Sequence, residues 1–306
     1  MKYIPIVVAF TPNYVIPAVT TILSILSNSQ ATDRYQIICL LTEDLPKDIQ
    51  TSLLNWEEER LEFVFINLSG KLEGIYIDER YTAAASYRLL LPEILPSYKS
   101  VIYLDCDVIV RTDIAKLYRD TDLEDYYLAA VYEATLDFQI PYLKEIGCEP
   151  GEYINSGFLI INLEQMRLDN IMPSLISTAN NANSAFPDQD ALNIVCKGNI
   201  LGLPPIYNSI RTYFLPQYKT DFLKYYTDKD WDHVQISGNI HYTGSKPWNG
   251  YTIEFVTWWS YYEQLPDFIK KIGSVKSKVR FFGKILSYTM ARRGFVFIQS
   301  MYRKFK

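Results

Sequence analysis

Histidine is nearly absent from this chain. Two occur in 306 residues, His233 and His241, so chemistry built on imidazole has two candidates. Cysteine is scarce as well. Cys39, Cys106, Cys148 and Cys196 show no paired spacing, which excludes a CxxC-type zinc motif and suits reduced thiols in a cytosolic protein. No run reaches the roughly 18 apolar residues of a spanning helix. The segment AFTPNYV after the first apolar run contains no glycine, so the GxGxxG fingerprint of a dinucleotide fold is missing. Acids are missing in one place. After Asp267 there is none, while eleven of the 30 Lys and Arg lie beyond it. The first 267 residues hold the other 19 bases against 35 acids, a net of −16. Nucleic acid is not an expected partner of so acidic a body.

What is present is a long apolar-rich chain. Its length suits one large domain, or one domain with an appendage. Aromatics make up 15%, with 25 Tyr, which suits a surface that handles sugars or other flat ligands. Residues 3 to 32 carry no charge and follow Lys2, as in a secretion signal. Pro5, Pro12, Asn13 and Pro17 interrupt that segment. YIPIVVAF has the length of one buried strand, and Val15, Val19, Ile22 and Leu26 fall at helical spacing. A buried strand running into a buried helix is therefore expected.

Strand and helix patterns then alternate. Strands are expected at 3–10, 36–42, 61–67 and 100–105, and helices at 14–27, 46–59 and 82–95. This order argues for an open, mostly parallel sheet with helices on both faces. Short strands near 126–132 and 157–162, a helix after Pro187, and loops at 199–217 and 237–250 complete the body.

One strand poses a chemical question. SVIYLDCDVIV, residues 100–110, holds Asp105 and Asp107 in an otherwise buried run. Ligands of open α/β sheets bind at the carboxyl ends of strands. Residues i and i+2 of an extended chain share a side, so the two acids are expected to converge there. Two such carboxylates do not both stay ionised without a partner. A divalent cation with oxygen ligands, Mg²⁺ or Mn²⁺, resolves this. The alternative is an exposed turn that happens to start with acids. A phosphohydrolase of the haloacid dehalogenase type also carries Asp-x-Asp after an apolar strand. There the motif sits on the first strand and is followed by Thr or Val, where this chain has Ile109.

Further motifs follow in order: YINSGFLIINL (153–163), DQDALN (188–193) and HYTGSKPW (241–248). With Asn13-Tyr14, SYRLLLPEIL and YLDCDVIV, these resemble glycosyltransferase family 8, retaining enzymes that include bacterial lipopolysaccharide galactosyl- and glucosyltransferases and glycogenin. The resemblance implies a GT-A fold: a Rossmann-like open mixed sheet flanked by helices. It implies a catalytic domain over 1–250, and 251–306 is then a helical, basic tail.

The resemblance also implies roles. Asp105, Asp107 and His241 would hold Mn²⁺, with Mg²⁺ as alternative; an imidazole beside two carboxylates favours the softer ion. Lys246 would stabilise the departing diphosphate, and Gly244 would let the backbone approach it. Arg88, and more weakly Arg80, would contact the nucleotide or donor sugar. Asn155, Asp188, Gln189 and Asp190 would face the donor sugar and the acceptor. Asp188 also suits a helix N-cap. Retention would proceed on one face or through a covalent intermediate, for which Asp190 is the available acid. Tyr14 would stack on uracil beside Asn13. Many members place an acid just before this pair, and here Thr11 stands instead.

The implied activity is transfer of glucose or galactose from a UDP-sugar to a hydroxyl of a lipopolysaccharide or other surface glycan. A phosphohydrolase and a non-catalytic carbohydrate-binding protein are the alternatives. The basic, aromatic tail suits a helix lying on anionic lipid, which would place the protein in the cytoplasm on the inner face of the membrane.

Overall fold

The computed structural model describes residues 3–56, 59–71, 83–181 and 184–287. Arg80 and the tail beyond Ser287, with the bases from Arg292 onward, lie outside the described residues.

Nine strands are described: β1 (Ile4–Phe10), β2 (Tyr35–Leu41), β3 (Leu61–Asn67), β4 (Ser100–Leu104), β5 (Val108–Ile109), β6 (Leu128–Tyr132), β7 (Ile154–Asn162), β8 (Ile200–Gly202) and β9 (Ile240–His241). Seven form one sheet in the order β3-β2-β1-β4-β7-β6-β8, and β5 pairs with β9 separately. Within the large sheet β7 is antiparallel to both neighbours, and every other pairing is parallel. The sheet is mixed, and the fold is GT-A.

β1, β2, β4 and β7 read as continuous apolar runs because both faces are covered, whereas the edge strand β3 is only partly buried. Ile6, Val8 and Phe10 of β1 join one core, and Val7 between them joins the other. The first core also takes in the helix Val15–Ser27 and the aromatic helix Phe255–Gln264, whose Phe255, Trp258, Trp259 and Tyr262 are buried. Residues after 250 thus pack on the same core as the strands.

The helix expected at 82–95 is broken into Ala83–Ser86, a 3₁₀ turn at Tyr87–Leu90, and Leu91–Ile94. Pro92 supplies the reason: it has no N–H for the carbonyl four residues back. In the stretch read as loop, β8 pairs with β6 over three residues, too few to leave a periodic signal.

The last described helix, Ser277–Ser287, docks with Gly283 flat on Trp259, where a Cβ would fall 2.1 Å from the indole. Leu286 is buried, whereas Phe281, Phe282 and Ile285 are exposed. Among the described residues no helix is long and apolar enough to cross a membrane.

Candidate active site

Asp105 and Asp107 flank a tight turn at the carboxyl end of β4. Asp105 N–H donates to the Gly157 carbonyl at 2.9 Å, and Val108 N–H donates back to the Asp105 carbonyl at 3.3 Å. The acids converge, but through this turn and not through an extended i, i+2 pair as their spacing suggests. Polar groups on the helix Val15–Ser27 fasten the turn from below. Thr21 Oγ1 lies 2.9 and 2.8 Å from the carbonyls of Cys106 and Val108. Ser24 Oγ accepts from Val110 N–H at 2.9 Å, and Asn28 donates to the Val110 carbonyl at 3.0 Å.

The late strand β9 brings His241 to the same place. It pairs antiparallel with β5, and His241 lies opposite Val108. Tyr242 N–H donates to the Asp107 carbonyl at 3.0 Å. His241 Nε2 lies 3.4 Å from Asp107 Oδ1 and 3.8 Å from Asp105 Oδ2. One donor atom from each of the three residues lies within 4.8 Å of the others. Two carboxylates and an imidazole around one point are a donor set that fits a divalent cation of the Mn²⁺ kind.

Lys246 ion-pairs with Asp107 through its ammonium group and donates to the Tyr242 carbonyl at 2.8 Å. Burial raises the Asp107 carboxyl, but the Lys246 ammonium beside it is the largest opposing charge, and the group is held well below the usual carboxylate range. The same pairing outweighs burial at Lys246 and raises its pKa. Gly244 has φ +86°, a left-handed turn that a side chain would strain. Tyr14, Arg88, Asp105, Asp107, Gly244 and Lys246 line a cavity of about 350 Å³, with Phe10 and Thr11 at its wall. Tyr14 packs edge-on against the buried Trp248 at 5.7 Å. Asn13 is exposed and is not among the lining residues.

A second cavity of about 530 Å³ adjoins the first through Arg88, Asp105, Asp107, Gly244 and Lys246. Asn155, Asp188, Gln189 and His241 line it, together with Glu133. Arg88 lines both cavities and is also tied into the protein. It is buried, and its guanidinium lies 3.0 Å from Asp105, 3.1 Å from Asp188 and 2.7 Å from Ser156 Oγ, stacked 4.4 Å over the Tyr103 ring. It serves as a strut between Asp105 and the helix Pro187–Val195. Burial raises the Asp188 carboxyl, with Arg88 pulling against it. Asp188 lies in the first turn of that helix, where Phe186 is the cap.

Gln189 Oε1 accepts from Ser156 N–H at 3.0 Å, which fixes the amide beside the cavity. Asp190 does not line it. Its carboxylate accepts from Tyr142, Tyr153 and Ser184 hydroxyls and from Phe186 N–H. Those partners make it an anchor of the loop before the helix, a departure from the expected place beside the sugar. Asn155 faces the cavity, but its amide is engaged with Glu133, Gly157 and Asn208.

Two site residues escape a reading of the sequence. Glu133 follows β6 and looks like an ordinary surface acid, yet it is buried, and burial raises its carboxyl against hydrogen bonds from Asn155 and Gln139. Asn208 sits in PPIYNSI with no local signal, yet it is fully buried behind His241.

A mixed sheet with acids at the end of β4 and a late histidine closing on them defines a GT-A glycosyltransferase. The chain belongs to the family described as Glycosyl transferase family 8, whose profile matches residues 5–252. Membership sets aside the phosphohydrolase alternative. General stress protein A of Bacillus subtilis is 35% identical over 56% of this chain and 61% of its own length. Lipopolysaccharide 1,2-glucosyltransferase of Escherichia coli K12 is 29% identical over 60% of this chain and 54% of its own. The chain thus spans little more than half the length of these curated relatives. Among solved structures, galactosyltransferase LgtC in complex with donor and acceptor sugar analogs superposes with a TM-score of 0.69 at 24% identity, covering 91% of this chain and 99% of that one. The bifunctional WbbM glycosyltransferase gives 0.74 at 22% identity, covering 89% and 52%. At that identity they speak for the fold.

Proposed function

We propose that this chain transfers a hexose, glucose or galactose, from a UDP-sugar to a hydroxyl of a lipopolysaccharide or other surface-glycan acceptor, with retention at the anomeric carbon and dependence on a divalent cation. The observation that carries the reading is the meeting of Asp105 and Asp107, on the wall shared by two adjoining cavities, with His241 of the larger one. The smaller cavity, with Tyr14 at its mouth, suits the nucleotide. The larger, with Gln189, Asp188 and Glu133, suits the donor sugar and the acceptor hydroxyl.

Asp105, Asp107 and His241 would hold Mn²⁺, or Mg²⁺ in its place. The ion supplies charge neutralisation for the diphosphate. Lys246 would stabilise the oxygen that takes up charge as the diphosphate leaves, and the turn at Gly244 would let main chain approach it. Gln189, its oxygen held by Ser156, presents its amide to the sugar. Asp190, fully engaged elsewhere, is the anchor of this segment. We therefore favour departure and attack on one face of the sugar over a covalent step at Asp190.

We infer also that the helix Ser277–Ser287 rests on anionic lipid at the cytoplasmic face of the membrane. Exposed Phe281 and Ile285 lie one turn apart, with Lys276, Lys278 and Arg280 exposed nearby.

The test is turnover of UDP-glucose and UDP-galactose with and without Mn²⁺, followed by an NMR coupling on the product. An α product formed only with metal is expected. A β product, or full activity in EDTA, would overturn the reading.

A further inference from the structure

The amides behind His241 form a chain whose direction the backbone imposes. Gly157 N–H donates to Asn155 Oδ1 at 3.1 Å, so the oxygen of that amide is fixed. Its NH₂ then faces Glu133, whose Oε1 accepts at 2.9 Å. The Asn208 side chain meets two acceptors at once, the Asn155 carbonyl at 3.3 Å and Asn155 Oδ1 at 2.9 Å. Only an NH₂ group satisfies both. Asn208 Oδ1 must therefore be the atom 3.0 Å from His241 Nδ1, and Nδ1 must carry the hydrogen. Asn208 is fully buried and lines neither cavity, so water offers it no substitute partner.

A neutral imidazole with its hydrogen on Nδ1 has its lone pair on Nε2. That lone pair looks toward Asp107 Oδ1 and Asp105 Oδ2. Lys246 on Asp107 and Arg88 on Asp105 already balance part of the carboxylate charge, and a cation between Nε2 and the two facing oxygens would complete the set. The ring cannot turn away, because Gly157 packs against it so tightly that a Cβ there would lie 2.2 Å from Cε1.

We propose that Asn155 and Asn208 are positioning residues that set the tautomer and ring plane of His241, so that the protein is prepared for a divalent cation before one arrives. The inference rests on the reading of His241 as a metal ligand. It gives Asn155 a role through His241 in addition to its place beside the sugar cavity, and it assigns a role to Asn208.

The experiment uses the full chain labelled with ¹⁵N in histidine, which carries two imidazoles, one of them removed by His233→Gln. Long-range ¹⁵N–¹H spectra of the metal-free protein at alkaline pH report the tautomer. His241 is expected with a protonated Nδ1 and an unprotonated Nε2. Asn208→Ala is expected to mix the tautomers and to weaken Mn²⁺ binding, followed by electron paramagnetic resonance, about 10- to 100-fold. A wild-type His241 protonated at Nε2 overturns the proposal whether or not the variant folds. So does a folded Asn208→Ala protein with wild-type Mn²⁺ affinity. Failure of the wild-type protein to bind Mn²⁺ at all would instead strike the metal reading, and the proposal with it. The wrong tautomer in a protein that does bind Mn²⁺ would strike the proposal alone.

Discussion

Gly157 and His241 lie face to face: a Cβ on residue 157 would come within 2.2 Å of ring atom Cε1 and 2.7 Å of Nδ1. Neither side can yield. Gly157 is held in β7 between β4 and β6, and the ring is tied to Asn208. Gly157→Ala should therefore push His241 out of line. The expected cost is about 1–3 kcal/mol of stability from overpacking, with Mn²⁺ affinity lowered at least about tenfold. A Mn²⁺ titration beside a thermal melt checks both. A folded variant that binds Mn²⁺ like the wild type would contradict the account.

Asp107→Asn keeps the shape of the side chain and removes its charge. The carboxylate is shared by Lys246 and His241. Loss of a charged ligand at a site of developing charge should cost about 3–4 kcal/mol in the transition state, as loss of an oxyanion donor does. Transfer and Mn²⁺-dependent donor binding should disappear while the circular dichroism spectrum stays native. Undiminished turnover would remove Asp107 from the metal site.

Lys246→Ala separates leaving-group stabilisation from simple binding. If the ammonium acts on the departing oxygen, kcat should fall more than donor affinity. Steady-state kinetics with the donor varied decide it. A raised KM at unchanged kcat would reduce Lys246 to a binding contact.

The front half of the fold was legible because β1 to β4 are apolar runs separated by helical periodicity, a pattern that two-sided burial produces. Asp105 and Asp107 were legible because their motif is short and contiguous, and His241 through the likeness of HYTGSKPW to a family motif. Glu133 and Asn208 were not, for one physical reason: their places are made by contacts distant in sequence. Asn208 meets His241 from 33 residues away, and Glu133 meets Asn155 from 22. A single Asn or Glu in a loop leaves no periodic mark. Arg88 was found as a site residue, and it lines both cavities, but its partners Asp105, Asp188 and Ser156 were not legible, since nothing local shows that they surround it. Thr21, Ser24 and Asn28 did carry a signal, a polar row on a buried helix, whose meaning appears only when the Asp105–Asp107 turn lies on it.

Glu133 yields a pH prediction. Burial raises its folded-state pKa above the ordinary value, about 4.3 for an unfolded glutamate. Between those two values the folded protein binds more protons than the unfolded chain. Stability contributed by this group is therefore present below the unfolded pKa and is lost as pH rises through the window. Glu133→Gln keeps an acceptor for Asn155 and cannot titrate. Urea midpoints across a pH series should show the wild type losing stability relative to the variant from about pH 4.3 upward. A constant difference across the series would mean that Glu133 is not shifted.

The helix Ser277–Ser287 decides how the membrane proposal is best tested. Deleting everything after Asp267 would strip Gly283 and Leu286 from Trp259 and the core, and so would confound binding with folding. The outward side chains are separable. Phe281 is 69% exposed and Ile285 41%, so replacing both with Ser keeps the buried contacts of Gly283 and Leu286. Sinking a Phe and an Ile side chain fully into apolar surroundings contributes about 1.5–3 kcal/mol each. Partial insertion of the pair at a lipid surface should still leave the double variant at least about tenfold weaker on vesicles of anionic lipid. Basic residues near such a surface add about 1 kcal/mol each, and salt should weaken this part by screening. The full chain is thus expected to pellet with anionic vesicles at low salt and to leave them as salt is raised. Phe281→Ser/Ile285→Ser should bind less at every salt concentration while turning over the donor in solution at the wild-type rate. If the wild-type chain ignores the vesicles, or the double variant binds them equally well, this helix does not hold the enzyme at a membrane.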